Sequence, residues 1–219
     1  MHAILNLESH RHRTVLAGEN LGTVPPEVNT AMDRHHLRKM YVVQFEMRPD
    51  RRKALPPAPP RCVASLNTHD TPTFAGFWNA ADAEEKAALG LIPVRTLPRE
   101  RRERTRLVRA LAAYLRAGGY LTGEDADRAA TFEACLKWLG DSPAEFILVN
   151  LEDVWGETQP QNVPGTSSER PNWRRKARLA VEEIIGPEAL QHWLRALTAP
   201  GNARQRPGRV SQYSTTVRS

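Results

Sequence analysis

The sequence predicts an α/β fold built on a mostly parallel sheet. Short apolar runs alternate with stretches of helical periodicity, the pattern of successive βα units. Each run reads as near-continuous and buried, not as a half-exposed alternating strand. Two of the runs end directly in acids, which is where parallel barrels keep their chemistry.

Four strands are expected: Thr14 to Ala17, Tyr41 to Phe45, Cys62 to Leu66 and Phe146 to Leu151. After the first, Pro25-Pro26 before Glu27 suits a helix start, because proline tolerates the first turn and an acid there complements the helix dipole. Val28 and Met32 then share a face. Residues Arg48 to Arg61 contain five prolines and read as an extended connection. Between the third and fourth strands, Pro98 to Ala117 carries Leu107, Val108, Leu111 and Leu115 on one stripe, the mark of an amphipathic helix. Gly118-Gly119 stops it, and Glu124 to Leu139 repeats the spacing with Phe132, Leu136 and Leu139. Gly186-Pro187 divides two further helices, Trp173 to Ile185 and Glu188 to Leu197, the second with Leu190, Trp193, Leu194 and Leu197 inward. Residues 199–219 are rich in Gly, Pro, Arg, Ser and Thr and are expected to be a disordered tail.

A length of 219 residues suits one domain or a piece of a barrel, whose usual size is about 250 residues. The net charge of +6 comes from 31 Lys+Arg against 25 Asp+Glu. Arg alternates with Glu through Arg99 to Arg104, as on a solvated helix face, which argues against a nucleic-acid binder. Cys62 and Cys135 are too few and too far apart for a disulfide framework or a zinc site, and both are expected to be buried thiols. His10-x-His12 and His35-His36 lack a third metal ligand at suitable spacing. No run approaches the roughly 18 apolar residues of a membrane span, and Met1 to Arg13 lacks the apolar core of a signal peptide. A cytoplasmic protein without membrane or nucleic-acid partners is expected. Gly-rich phosphate cradles and Gly-x-Ser-x-Gly elbows are absent, which removes the main support for nucleotide hydrolysis and serine-hydrolase chemistry.

Carboxylates remain as the candidate chemistry. Glu19 stands between a buried strand and a Gly/Pro-rich turn, where partial desolvation would favour the protonated form a general acid needs; a surface Glu in a tight turn fits the same residues. His69 and Asp70 follow the third strand, and Asp70 suits either catalysis or the N-cap of a helix starting near Thr73. Glu152-Asp153 follow the fourth strand beside Trp155, an aromatic that could stack on a pyranose face or belong to the core. Gln159 to Thr166 offers amides and free backbone groups, as a binding loop or an ordinary connector. Several carboxylates around one anomeric carbon are what a retaining glycosidase or transglycosylase requires.

Six ordered motifs strengthen that reading: Leu7-Glu8-Ser9-His10-Arg11, Gly18-Glu19-Asn20-Leu21-Gly22-Thr23-Val24-Pro25, Val43-Gln44-Phe45-Glu46, Asn67-Thr68-His69-Asp70, Asn150-Leu151-Glu152-Asp153, and Asn162-Val163-Pro164-Gly165-Thr166 running into Arg170-Pro171-Asn172-Trp173. Together they resemble the carboxyl-terminal half of the amylomaltase family, the 4-α-glucanotransferases, over most of residues 5–198. The resemblance implies the carboxyl-terminal half of a (β/α)₈ TIM barrel over residues 1–198, with a helical insertion at about 80–140 and carboxyl-terminal helices. It implies transfer of α-1,4-glucan segments between maltooligosaccharides with retention, without a cofactor or a metal.

Carried over by motif, Glu19 is the acid/base and Asp70 the transition-state stabiliser. His69 is a ligand of sugar hydroxyls, Phe45 an aromatic near the acceptor, and Asn162 a residue of the site-lining loop. Trp155 joins them as a substrate-binding candidate from its place beside the carboxylates. Asn20 departs from the family's usual Asp and removes a like-charge neighbour of Glu19. The family's nucleophilic Asp belongs to an earlier barrel strand, and no Asp precedes Asp33. The expectations are therefore a chain inactive by itself, as either a truncated reading frame or one half of a split enzyme whose other polypeptide supplies the first half of the barrel, and two open sheet edges with an exposed apolar face. A noncatalytic glucan-binding remnant is the alternative.

Overall fold

Parallel pairing joins β1 (Ala17–Gly18), β2 (Arg38–Val42), β3 (Cys62–Ser65) and β4 (Phe146–Leu148) into one sheet in the order β1-β2-β3-β4. The structure, a computed structural model, describes residues 2–123, 127–185 and 187–198. In chain order the helices are α1 (His2–His12), α2 (Pro26–Arg34), α3 (Val43–Glu46), α4 (Phe74–Asn79), α5 (Ala81–Ala88), α6 (Leu97–Ala117), α7 (Arg128–Gly140), α8 (Leu151–Val154), α9 (Val181–Ile185) and α10 (Pro187–Thr198). No helix among the described residues is long and apolar enough to cross a membrane.

Register divides the sheet into two faces. Tyr41, Ala64 and Ile147 are aligned, and all three belong to the core shared with α6, α7 and α10. The opposite face therefore carries Met40, Val63 and Phe146 in one row and Val42, Ser65 and Leu148 in the next. Leu111, Leu115, Leu136 and Leu139 fill the helix side and are fully buried. Tyr41 of β2 and Phe74 of α4 reach this core and stack at an angle on Trp138 and Phe132, with ring centroids 6.3 and 5.4 Å apart. The other face stays open at its β4 end, where Phe146 is 40% and Leu148 55% exposed. β4 pairs with β3 alone, so its outer backbone groups are unpaired within the described sheet.

Several boundaries differ from the sequence expectation. Thr14 donates its N–H to the Ser9 carbonyl at 3.0 Å, which ties the start of the expected first strand to the end of α1. Pairing begins only at Leu16, whose carbonyl accepts from Arg38 at 2.8 Å. The second strand starts three residues early, at Arg38, because two cations open it: Arg38 pairs with Glu145 at 2.7 Å and Lys39 with Asp33 at 2.6 Å. Its expected end, Val43 to Phe45, is helical. β4 stops at Leu148, and it is an exposed edge instead of a buried run. Residues 173–180 are irregular, and α9 starts at Val181 because Glu183 reaches back to accept the Ala180 N–H at 2.7 Å, half of a capping box. In α10, Leu194 points to solvent and Ala196 is buried in its place; the side chains of Leu190 and Trp193 lie outside the described residues. The expected tail, 199–219, also lies outside them.

The expected stripes of α6 and α7 are present, with Leu111, Leu115, Phe132, Leu136 and Leu139 buried. Arg99 pairs with Glu103 at 3.0 Å on the solvated face, but Arg104 turns inward to hold buried Asp82 at 2.8 Å and lie 3.7 Å over the Phe77 ring. Both cysteines are free, buried thiols, and burial pushes each of them up. At the α7–α10 contact, a Cβ on Gly140 would sit 2.2 Å from the Leu197 carbonyl oxygen. Gly140→Ala must push the two helices apart, and such overpacking costs about 1–3 kcal/mol against less than ~1 kcal/mol gained in helix propensity. The expected outcome is a lower urea midpoint at unchanged m-value; an unchanged midpoint would show that the contact is soft.

Candidate functional site

The turn between β3 and α4 is built by short polar side chains. Thr71 Oγ1 accepts the Thr68 N–H at 2.8 Å, and Thr68 Oγ1 accepts the Asp70 N–H at 3.2 Å. Thr73 is the N-cap of α4, with Oγ1 accepting from Gly76 N at 3.1 Å, so Asp70 is not the cap. Asp70 instead projects to the surface, where its Oδ1 accepts from Asn162 Nδ2 at 2.6 Å and its Oδ2 lies 3.3 Å from His69 Nε2. The His69 ring stands 5.6 Å from the Trp173 ring. Asp70, His69 and Asn162 thus meet in one cluster, although Asp70 and Asn162 are 92 residues apart.

Both ends of that turn are fixed by a buried carboxylate. Asp153 is 6% exposed, and its Oδ2 accepts from Asn67 Nδ2 at 2.7 Å while Oδ1 accepts the Phe74 N–H at 2.6 Å. The second loop, 157–175, has almost no regular structure and is held by two arginines. Arg170 donates to Glu85 at 2.7 Å, to Asn172 Oδ1 at 2.6 Å and to the Pro160 carbonyl at 2.6 Å. Arg175 donates to Glu152 at 2.9 Å and the Gln159 carbonyl at 2.6 Å, and pairs with Glu157 at 2.7 Å. Gln161 adds a bond from Nε2 to Glu152 at 2.7 Å, and its carbonyl accepts the Trp173 N–H at 3.0 Å. Trp173 is left with a positive φ of 59°, a left-handed backbone imposed by this network.

A cavity of about 340 Å³ opens between the two loops. Its floor includes Met40, Ser65 and Leu148 of the open sheet face, and its rim includes Asn67, His69, Gln161 and Trp173. The Ser65 hydroxyl is buried without a hydrogen-bond partner. Trp155 does not line this cavity; its indole Nε1 is buried and unpartnered elsewhere, and Trp173 supplies the aromatic wall. Trp173 belongs to the last sequence motif, and the helix expected to start there is irregular chain through residue 180. Glu19 follows β1 and is exposed, so the partial burial expected for it is not provided by these residues. Its neighbour Asn20 extends the β1–β2 ladder, with Oδ1 accepting the Met40 N–H at 2.8 Å. Phe45 on α3 is 57% exposed. Of the expected site residues His69 borders the cavity, whereas Glu19, Phe45, Asp70 and Asn162 do not. Among the described residues no group of three or more His, Cys, Asp or Glu could hold a metal ion.

Burial pushes the Asp153 carboxyl from 3.8 up to about 6, and Glu152 adds to the rise, although the Phe74 N–H, the Asn67 amide and Arg128 favour the charged form. A raised carboxyl binds a proton in the folded chain that the unfolded chain has already released. Its contribution therefore favours the fold at acid pH and is lost as pH rises from about 4 to about 6, by on the order of 2–3 kcal/mol. Asp153→Asn keeps an acceptor for Phe74 and removes the titration. Urea midpoints of the two proteins are expected to converge below pH 4 and to diverge above pH 6 in favour of the variant; parallel pH profiles would refute the assignment.

Residues 1–181 match the family model described as 4-alpha-glucanotransferase. A 4-alpha-glucanotransferase of Mycobacterium tuberculosis is 35% identical over 182 residues, covering 80% of this chain and 25% of the relative. One from Haemophilus influenzae is 30% identical over 196 residues, covering 86% of this chain and 28% of the relative. The crystal structure of amylomaltase from Corynebacterium glutamicum superposes with a TM-score of 0.71 at 21% identity, covering 89% of this chain and 30% of that one. Amylomaltase from Streptococcus agalactiae, solved in complex with acarbose, gives a TM-score of 0.55 at 17% identity, covering 84% and 31%. The chain spans roughly a quarter of the length of these curated relatives. Its parallel βα sheet is a portion of the amylomaltase barrel fold, and the chain belongs to the 4-alpha-glucanotransferase family.

Proposed function

We propose that this chain is the carboxyl-terminal portion of a 4-α-glucanotransferase catalytic domain, residues 1–198, and that it transfers α-1,4-glucan segments between maltooligosaccharides when the rest of the barrel is present. The observation that supports it most directly is the cluster of Asp70, His69, Asn162 and Trp173 at the carboxyl end of the sheet, beside a cavity of about 340 Å³. Active sites of parallel barrels lie at that end.

On this reading Glu19 protonates the glycosidic oxygen of the departing glucan, and in the second half-reaction takes the proton from the acceptor hydroxyl. Asp70, oriented by the Asn162 amide, bonds the sugar hydroxyls and stabilises the positive charge that develops at the anomeric carbon. His69 adds a donor, and Trp173 offers an apolar face to the pyranose ring. The nucleophilic carboxylate and the remaining strands come from polypeptide beyond these 219 residues, which would pair with the exposed β4 edge and cover Phe146 and Leu148. The work would take place in the cytoplasm. A noncatalytic glucan-binding role is the second reading, favoured by the exposure of Glu19, which nothing among the described residues shields.

Maltotriose disproportionation separates the two. The purified chain alone is expected to release little or no glucose. Mixed with an amino-terminal barrel half of a close relative, it is expected to be active, with Glu19→Gln lowering kcat by about 10²–10⁴-fold. Robust activity of the chain alone would refute the division of labour. Glucan binding by calorimetry with no activity in a soluble mixture would favour the binding role.

A further inference from the structure

We infer that Glu152 and Asp153 are paired positioning residues, each fixing one of the two loops whose meeting creates the Asp70–Asn162 hydrogen bond. The inference rests on the proposed role of Asp70 for its functional meaning, but its geometry stands without it.

The two carboxylates are adjacent on α8, a single short helix capped by Asn150, whose Oδ1 accepts the Glu152 N–H at 3.3 Å. Asp153 faces the β3 side and binds Asn67 and Phe74, the residues that bracket the turn bearing His69 and Asp70. Glu152 faces the other way and receives Gln161 and Arg175, which bracket the segment bearing Asn162 and Trp173. Neither loop has ladder hydrogen bonds of its own to fix its height above the sheet. Asp70 Oδ1 and Asn162 Nδ2 are 2.6 Å apart across this arrangement, a distance that tolerates little independent movement. A shift of α8 would carry both loops together, whereas loss of either carboxylate contact removes one arm of that coupling. Gly76 tightens the same assembly: its missing side chain lets the Thr158 carbonyl approach to where a Cβ would lie 2.4 Å away. Thr73 Oγ1 donates to the Glu157 carbonyl at 2.5 Å in that contact, joining the end of the first loop to the start of the second.

The experiment follows the Asn162 side-chain amide by ¹H–¹⁵N NMR in the full chain, with urea stability measured on the same samples. In the parent the amide signals are expected to move on Asp70→Ala. Asp153→Ala and Glu152→Ala should move them toward free-amide positions and abolish their response to Asp70, and Asp153→Asn should restore both. Arg175→Gln, which removes the Arg175 contacts to Glu152, Glu157 and the Gln159 carbonyl and leaves both Asp153 contacts intact, serves where an alanine variant fails to fold. Folded variants with unaltered Asn162 signals and an unaltered Asp70 response would overturn the inference. In the reconstituted mixture, misplacing Asp70 should lower kcat by about 10–100-fold. Coupled NMR signals without any transferase activity would uphold the positioning and sink the transferase reading instead.

Discussion

Parallel pairing in sequential order is the constraint on which the rest of the molecule depends. It sends all four strands toward the same rim, so residues that follow β1, β3 and β4 share one edge despite wide separation in sequence. In sequential order the right-handed crossovers lie on one face, and α4, α6, α7 and α10 pack there around the buried leucine core. The opposite face supplies Met40, Ser65 and Leu148 to the cavity floor. Its middle strands are covered by the two loops, while β4 stays open.

The two faces are stabilised by different forces. On the helix side, burial of Leu111, Leu115, Leu136 and Leu139 supplies a driving force of roughly 2 kcal/mol per side chain and needs little directional bonding. On the rim side the chain is largely irregular, and hydrogen bonds to charged groups carry the organisation. Asp153, Arg170 and Arg175 each satisfy several partners, so a single truncation strands more than one polar group. The rim is therefore specific in geometry but sensitive to loss of one residue. Asp153 shows the cost: its carboxyl is held at about 6 by burial because its two hydrogen bonds do not replace water in full.

What the sequence made legible follows this division. The Cys62 to Leu66 run and the leucine stripes of α6 and α7 are local hydrophobic patterns, and those elements appear where the patterns stand. Arg38 and Lys39 open a strand that no apolar pattern announces, because their partners Glu145 and Asp33 lie elsewhere in the chain. Trp173 reads as a helix start until Arg170 and Arg175 find their acceptors across the loop. Asp70, His69 and Asn162 were identifiable from motifs, but their meeting depends on a contact 92 residues long with no local signature. The same holds for Asp153, whose neighbour Glu152 looked equally chemical until each proved to hold a different loop.

The exposure of Glu19 gives the open face its meaning. A general acid at neutral pH needs its protonated form favoured, and the ordinary means are burial or a nearby like charge. Glu19 is exposed, and the adjacent Asn20 carries no charge and is occupied with the Met40 N–H. Asp70, by contrast, already has its orienting partner within this chain. On the proposed reading, the stabilising half of the chemistry is preorganised by these 219 residues, whereas the proton-transfer half waits for the surface that closes over β1 and β4. Barrel closure would then do more than cover apolar side chains, because the same closing surface would exclude water from the acid and bring the nucleophile opposite it.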